Sequence, residues 1–293
     1  MSKADRNRAE SARQRIAAQQ AAARQAERRR RLMLAGAGVA VVILVVVGIV
    51  LAKTLGKSSP PQAASPVTGT ALPASVQADV SNVPVSTLAA VGAGTVEAGS
   101  FRAGSGPELM SGGKPEMLYI GAEWCPYCAA ERWAMAVALS RFGTFSPLRG
   151  IHSSATDVYP NTATLTFYKT HYTSKYLVFT PVENQTVNRA PLQNTTAQQQ
   201  AVWVKFEPNA TQRGYPFISI GNKFIATATY NPQVLQGLTW AKIAADLHTA
   251  SSPVAQGADG SANVFTAAIC KLTNNQPASV CTTAPVSQLE SKL

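Results

Sequence analysis

Leu118-Tyr-Ile-Gly-Ala-Glu-Trp-Cys-Pro-Tyr-Cys-Ala-Ala-Glu-Arg-Trp133 is the stretch on which the fold turns. Its start belongs to an apolar run, Glu116 to Gly121, that reads as a short strand. Its end opens a helix expected over 129–142, with Ala130, Ala134 and Val137 on one face. A Cys-X-X-Cys pair therefore sits where a strand ends and a helix begins. There Cys125 meets unsatisfied backbone N–H groups and the positive end of the helix dipole, and both stabilise an anion. Its pKa is expected to fall, which makes a thiolate available near neutral pH. Two intervening residues let Cys128 close a disulfide across one helical turn. Pro126 suits the first turn, where its missing N–H has no partner to lose. Cys128, one step into the helix, is expected to be the more buried sulfur.

Other uses of the pair are less well supplied. A zinc site wants a second close cysteine pair or histidines at ligand spacing. The remaining cysteines are Cys270 and Cys281, and His152, His171 and His248 are scattered. A purely structural disulfide at 125–128 closes too short a loop to stabilise much. Redox chemistry at Cys125 and Cys128 is the leading expectation, with no metal and no cofactor. Trp124 and Tyr127 flank the motif as candidates for an apolar docking rim or for simple packing. Glu131 and Arg132, in the second helical turn, read as a solvated face.

The segment GAEWCPYC resembles the active-site segment of the thioredoxin superfamily. Arg213-Gly-Tyr-Pro-Phe-Ile-Ser-Ile220 is similar to that superfamily's cis-proline loop and the strand after it. The resemblance implies a cis Pro216 packed against the cysteines. It also implies that Tyr215 offers its backbone to a substrate strand, as in β-augmentation. A narrower resemblance covers nearly all of 86–293. It rests on His152-Ser-Ser-Ala-Thr-Asp157, Tyr159-Pro-Asn-Thr-Ala-Thr164, Tyr172-Thr-Ser-Lys-Tyr176 and the closing pair Cys270 and Cys281. These segments resemble the membrane-anchored, thioredoxin-like family called domain of unknown function 929. That resemblance implies the fold and says little about the substrate. One departure stands out. Thioredoxins carry a buried acid six residues before the first cysteine, which helps move the proton of the second. Here that position is Tyr119. Glu123 is the nearest carboxylate and reads as an exposed loop residue. The resemblance therefore transfers no proton-transfer group. Ser153, Ser154 and Asp157 match family positions but read as turn chemistry.

Outward from the motif, Leu148 to Ser153, Thr164 to Tyr168 and Tyr176 to Thr180 read as strands. Phe217 to Ile220 and Lys223 to Thr229 read as a hairpin around Gly221-Asn222. Helices are expected over 195–206, 239–249 and 263–272, and a short one near Val85 that ends at Gly92. Strands interspersed with helices indicate an α/β domain over 86–293, thioredoxin-like with helical additions. Cys270 ends one helical stretch, and Cys281 follows a turn at Asn274 to Pro277. The two fit a structural disulfide that staples a C-terminal helical hairpin. Two free thiols and a second redox pair are the alternatives.

The net charge of +11 invites a nucleic-acid reading, but its location argues against one. Residues 1–31 hold 10 bases and 3 acids, whereas residues 58–293 hold 14 bases and 12 acids. The body is nearly neutral and offers no basic groove. Leu32 to Ala52 is an uncharged run of 21 residues. At about 1.5 Å per residue it matches the roughly 30 Å hydrocarbon core of a bilayer. A cleaved signal peptide usually has a shorter apolar stretch. The bases before the run, against Lys53 and Lys57 after it, expect a cytoplasmic N-terminus and a single-pass anchor. Residues 53–85, with five prolines among small polar residues, read as a tether. The expectation is a domain outside the cell membrane that acts on protein thiols and disulfides, with no nucleic-acid partner. An inert thioredoxin-fold binding or assembly module and a thiol metal-handling protein are the rivals.

Overall fold

The computed structural model of the chain describes residues 69–211 and 213–293. The basic tail 1–31, the expected transmembrane segment 32–52 and the first part of the linker, 53–68, lie outside the described residues. Among the described residues no helix is long and apolar enough to cross a membrane.

Ordered structure begins before the expected boundary at Val85. Strand β1 (Thr70–Ala71) and helix α1 (Ala74–Ser81) precede α2 (Val85–Val91), which ends at Gly92. The end of the expected tether is therefore folded. Prolines and small residues there mask one pair, Val76 and Val80, a helical turn apart and both buried. Next come β2 (Phe101–Ala103), β3 (Met110–Ser111), β4 (Lys114–Gly121) and helix α3 (Pro126–Ser140). Strands β5 (Gly143–Ser146), β6 (Arg149–His152), β7 (Ala163–Thr166), β8 (His171–Ser174) and β9 (Val178–Glu183) follow. Helix α4 (Ala197–Phe206) leads to the hairpin β10 (Phe217–Ile220) and β11 (Phe224–Ala226). Helices α5 (Trp240–Asp246), α6 (Gly260–Leu272), α7 (Ala278–Cys281) and α8 (Val286–Glu290) close the chain. A π-helical turn, Ala255–Asp259, runs directly into α6.

The result is a mixed α/β architecture. Strand β4 is the axis of the main sheet. It pairs in parallel with β9, from Glu116↔Val178 to Gly121↔Glu183. On its other side it pairs antiparallel with β10, which continues through β11 to β2. The three-residue β10–β11 loop, residues 221–223, holds Gly221 and Asn222 at φ of 58° and 59°, the left-handed region that glycine and asparagine tolerate. Residues of β4 alternate between two cores. Met117 and Tyr119 join the large cluster under α3, whereas Leu118 and Ile120 join the cluster under α4 with Val202 and Trp203. A strand covered on both faces reads as a continuous apolar run, which is why β4 is conspicuous in the sequence.

Helix α3 is buried on all sides. From Cys128 to Leu139 every side chain is covered, with β7, α1, the π-helical turn and α6 packed around it. Glu131 and Arg132 are therefore fully buried, not a solvated face. The groups that meet them, Glu183 of β9 at Arg132 and Thr229 at Glu131, come from distant parts of the chain, which a local face pattern does not reveal. Cys270 at the end of α6 and Cys281 at the end of α7 form a disulfide with Cα atoms 5.6 Å apart.

Candidate functional site

The cysteine pair occupies the β4–α3 junction. Cys125 caps α3, and the Cys128 N–H donates to its Sγ at 3.2 Å. On its other side, the Cys125 thiol donates to the Tyr215 carbonyl at 3.6 Å. The Tyr215–Pro216 peptide is cis, and Pro216 is buried. Cys125 keeps 3% of its surface exposed and Cys128 none. Their electrostatics diverge. The hydrogen bond from the Cys128 side chain lowers the Cys125 pKa, outweighing burial, and the Cys128 N–H and the Arg132 charge act in the same direction. Burial pushes the Cys128 thiol well up, and the shared hydrogen bond with Cys125 adds to that.

Around the thiols lies an aromatic rim. Trp124 is half-buried, and its Nε1 donates to Gln185 Oε1 at 2.8 Å. Its ring meets Tyr215 edge-on at 6.0 Å, and the Arg189 guanidinium stacks over it at 3.6 Å. The Trp124 carbonyl accepts from the Ser154 N–H at 2.9 Å, so the Ser153-Ser154 turn helps hold the loop. Trp124 and Tyr215 both pack against the cysteine cluster. Tyr127 does not join them. It is 38% exposed and makes an edge contact with Tyr159.

Beneath the cysteines lies a charge network that sequence reasoning did not find. Glu123, expected in an exposed loop, is only 2% exposed. Its Oε1 accepts from Thr166 Oγ1 at 2.7 Å. Burial and the neighbouring Glu183 carboxylate push its pKa up to about 7. Arg132 grips Glu183 with two parallel bonds, Nε to Oε1 at 2.8 Å and Nη2 to Oε2 at 2.7 Å. Arg132 Nη2 also donates to the Ala122 carbonyl at 2.9 Å. Tyr119 lies within the same network, its ring centroid 6.0 Å from the Arg132 guanidinium carbon. Its buried hydroxyl has no hydrogen-bond partner among the described residues. Glu131 points elsewhere on α3 and accepts from the Thr229 N–H at 2.6 Å. Burial raises its pKa to about 8. The available signal for these groups was the rest of α3, whose sequence AAERWAMAVAL leaves no polar face for two charges to join.

The family described as Domain of unknown function (DUF929) matches residues 101–271. The chain belongs to this family. No curated protein and no solved structure matches it.

The matched DUF929 region contains Cys125, Cys128, the Arg132–Glu183 pair and the Tyr215–Pro216 loop, while Cys281 lies just beyond it. In this DUF929 protein one thiol is lowered and keeps a sliver of exposed surface, and the other is raised and wholly enclosed. Such a pair is suited to sequential work, in which the first attacks and the second waits. Among the described residues no group of three or more His, Cys, Asp or Glu side chains is placed to hold a metal ion.

Proposed function

We propose that this protein is a membrane-anchored, extracytoplasmic thiol–disulfide oxidoreductase with a thioredoxin-like fold. The observation that carries the reading is the asymmetry of the two thiols. Cys125 is a helix cap with a lowered pKa beneath the Tyr215 carbonyl, and Cys128 is an enclosed thiol one turn behind it. The order β4, cysteine pair, α3, parallel β9 and antiparallel β10–β11 supports the thioredoxin likeness, as does a cis-proline loop against the cysteines. The basic residues before 32–52 and the Cys270–Cys281 disulfide both fit an anchored domain in an oxidising compartment.

The reaction proposed for this pair is a two-step exchange. The Cys125 thiolate attacks one sulfur of a protein disulfide, and the other sulfur leaves as a thiolate and takes up a proton. Cys128 then loses its proton and attacks Cys125 Sγ. The mixed disulfide breaks, the substrate's second thiol is released, and a Cys125–Cys128 disulfide remains. Two electrons pass from the site to the substrate, and the reverse sequence makes a disulfide in a secreted protein. Cis Pro216 leaves the Tyr215 backbone beside Cys125, where an extended substrate segment can pair with it. Trp124 and Tyr215 supply the apolar wall.

The test is covalent trapping. Cys128→Ser in the native membrane is expected to accumulate mixed disulfides between Cys125 and extracytoplasmic proteins, identifiable by mass spectrometry. Cys125→Ser is expected to trap nothing and to abolish reduction of a disulfide substrate. Activity that survives Cys125→Ser would sink the enzyme reading.

A further inference from the structure

The position expected to hold a buried acid is Tyr119, and the charge that stands beside Cys128 is a cation. Arg132 follows Cys128 by four residues on α3, so the two side chains share a face one turn apart. Its guanidinium is fully buried. Nε and Nη2 are engaged by Glu183, and Nη2 also bonds the Ala122 carbonyl. Ala122 packs directly against both cysteines, so the carbonyl that Arg132 grips belongs to a residue in contact with the Cys128 sulfur. Arg132 Nη1 has no hydrogen-bond partner among the described residues. A buried donor without an acceptor costs free energy, and an anion formed beside it relieves that cost.

Both thiols pass through an anion during exchange and the Arg132 charge acts on both, but Cys128 is the one whose charge burial opposes most. Cys128 must become a thiolate to resolve the mixed disulfide, in an enclosed site where burial opposes charge. We propose that Arg132 is a positioning residue for that step: its charge stabilises the Cys128 thiolate, while Glu183 holds the guanidinium in place and moderates its field. This rests on the exchange reading above. In the step itself Cys128 releases its proton, its sulfur bonds Cys125 Sγ, and the substrate sulfur departs as a thiolate that is protonated by solvent. Arg132 gains and loses nothing. A structural ion pair and an electrostatic device differ in one respect. Removing Glu183 alone and removing both partners should move the Cys128 thiolate in opposite directions only if the charge of Arg132 acts on it.

The experiment uses the full-length chain carrying Cys125→Ser, in which Cys128 is the sole free thiol because Cys270 and Cys281 are bonded. Ultraviolet thiolate absorbance is followed against pH, which needs neither substrate nor access to the buried sulfur. Glu183→Gln keeps the shape of the partner and leaves Arg132 unbalanced. It is expected to raise the thiolate fraction at a fixed pH below the midpoint about tenfold, one pKa unit. The pair Arg132→Met and Glu183→Met removes both charges in a form that buried ion pairs often tolerate. It is expected to lower that fraction by a similar factor. Arg132→Lys should recover part of the wild-type curve. Curves that coincide, or that move in the same direction in folded Glu183→Gln and double-variant proteins, overturn the proposal. If the double variant does not fold, an unmoved Glu183→Gln curve overturns it alone. The outcomes separate from those of the exchange reading. An inactive wild type sinks that reading whatever the curves do, and an active one with unmoved curves sinks only the role of Arg132.

Discussion

Glu123 holds its carboxyl two residues before the thiol expected to attack, in a site where burial and the Glu183 carboxylate push its pKa up to about 7. The Thr166 hydroxyl works against that shift by donating to the carboxylate, and the Arg132 charge does the same. These opposing causes give opposite expectations for two variants. Thr166→Val removes the donor and should raise the Glu123 midpoint above about 7. Glu183→Gln removes the repelling charge, leaves Arg132 less neutralised, and should lower it. Carboxyl-carbon NMR titration reads both, and a midpoint that moves the same way in each would contradict this assignment of causes. The linkage to stability follows from the raised value. The folded state holds this proton between the ordinary glutamate value of 4.5 and about 7, so stability falls as pH rises through that window and levels off above it.

The same linkage governs helix α3 as an element. Its one-residue neighbour pair, Glu131 and Arg132, turns to two separate buried networks. Arg132 finds an anion, but the partners of Glu131 are the neutral Thr229 N–H and hydroxyl. Burial raises the Glu131 pKa to about 8, so this acid enters the fold protonated. Its ionisation on the alkaline side must be met by burial of an uncompensated charge. Glu131→Gln keeps the shape and an acceptor oxygen while deleting the titration. Urea unfolding at a series of pH values from 5 to 8 is expected to show a wild-type stability that declines with pH. The Glu131→Gln protein should lose up to about 1.4 kcal/mol per pH unit of that slope. Parallel slopes for the two proteins would mean that the carboxyl is solvated or ionised throughout. Such a helix is only half legible in a sequence. Its start is visible because Cys-Pro-Tyr-Cys follows an apolar strand and proline fits a first turn. Its surroundings are not, because the segments that enclose it, α1, β7, β9, α6 and the π-helical turn, lie away from it along the chain. Charged side chains at 131 and 132 look solvated until those segments are in place.

At the scale of the whole molecule, the chain separates what local pattern can specify from what only assembly can. The β4 run, the Gly221-Asn222 hairpin and helix α4 each depend on neighbours within a few residues, and each reads correctly. Short strands such as β1, β2, β5 and β8 take their pairing from distant partners and leave no apolar alternation of their own. The C-terminal helices belong to the second kind, and their attachment bears on the site because α6 packs along α3 behind the cysteines. The Cys270–Cys281 bond ties the end of α6 to α7 across a sequence separation of 11, with both sulfurs buried in the main core. A loop of that size contributes about 3 kcal/mol by restricting the unfolded chain. Replacing both cysteines by alanine is therefore expected to lower the unfolding free energy by about that amount. Hydrogen exchange should speed first in α6 to α8 and then in α3. A structural bond takes no part in exchange, so non-reducing mass mapping after mild reductant, with alkylation once the chain is denatured, should find Cys125 and Cys128 alkylated and Cys270–Cys281 intact. If instead the 270–281 bond opens as readily as the 125–128 pair, the C-terminal cysteines exchange electrons with the medium, and their role is redox chemistry rather than holding the helices behind the site.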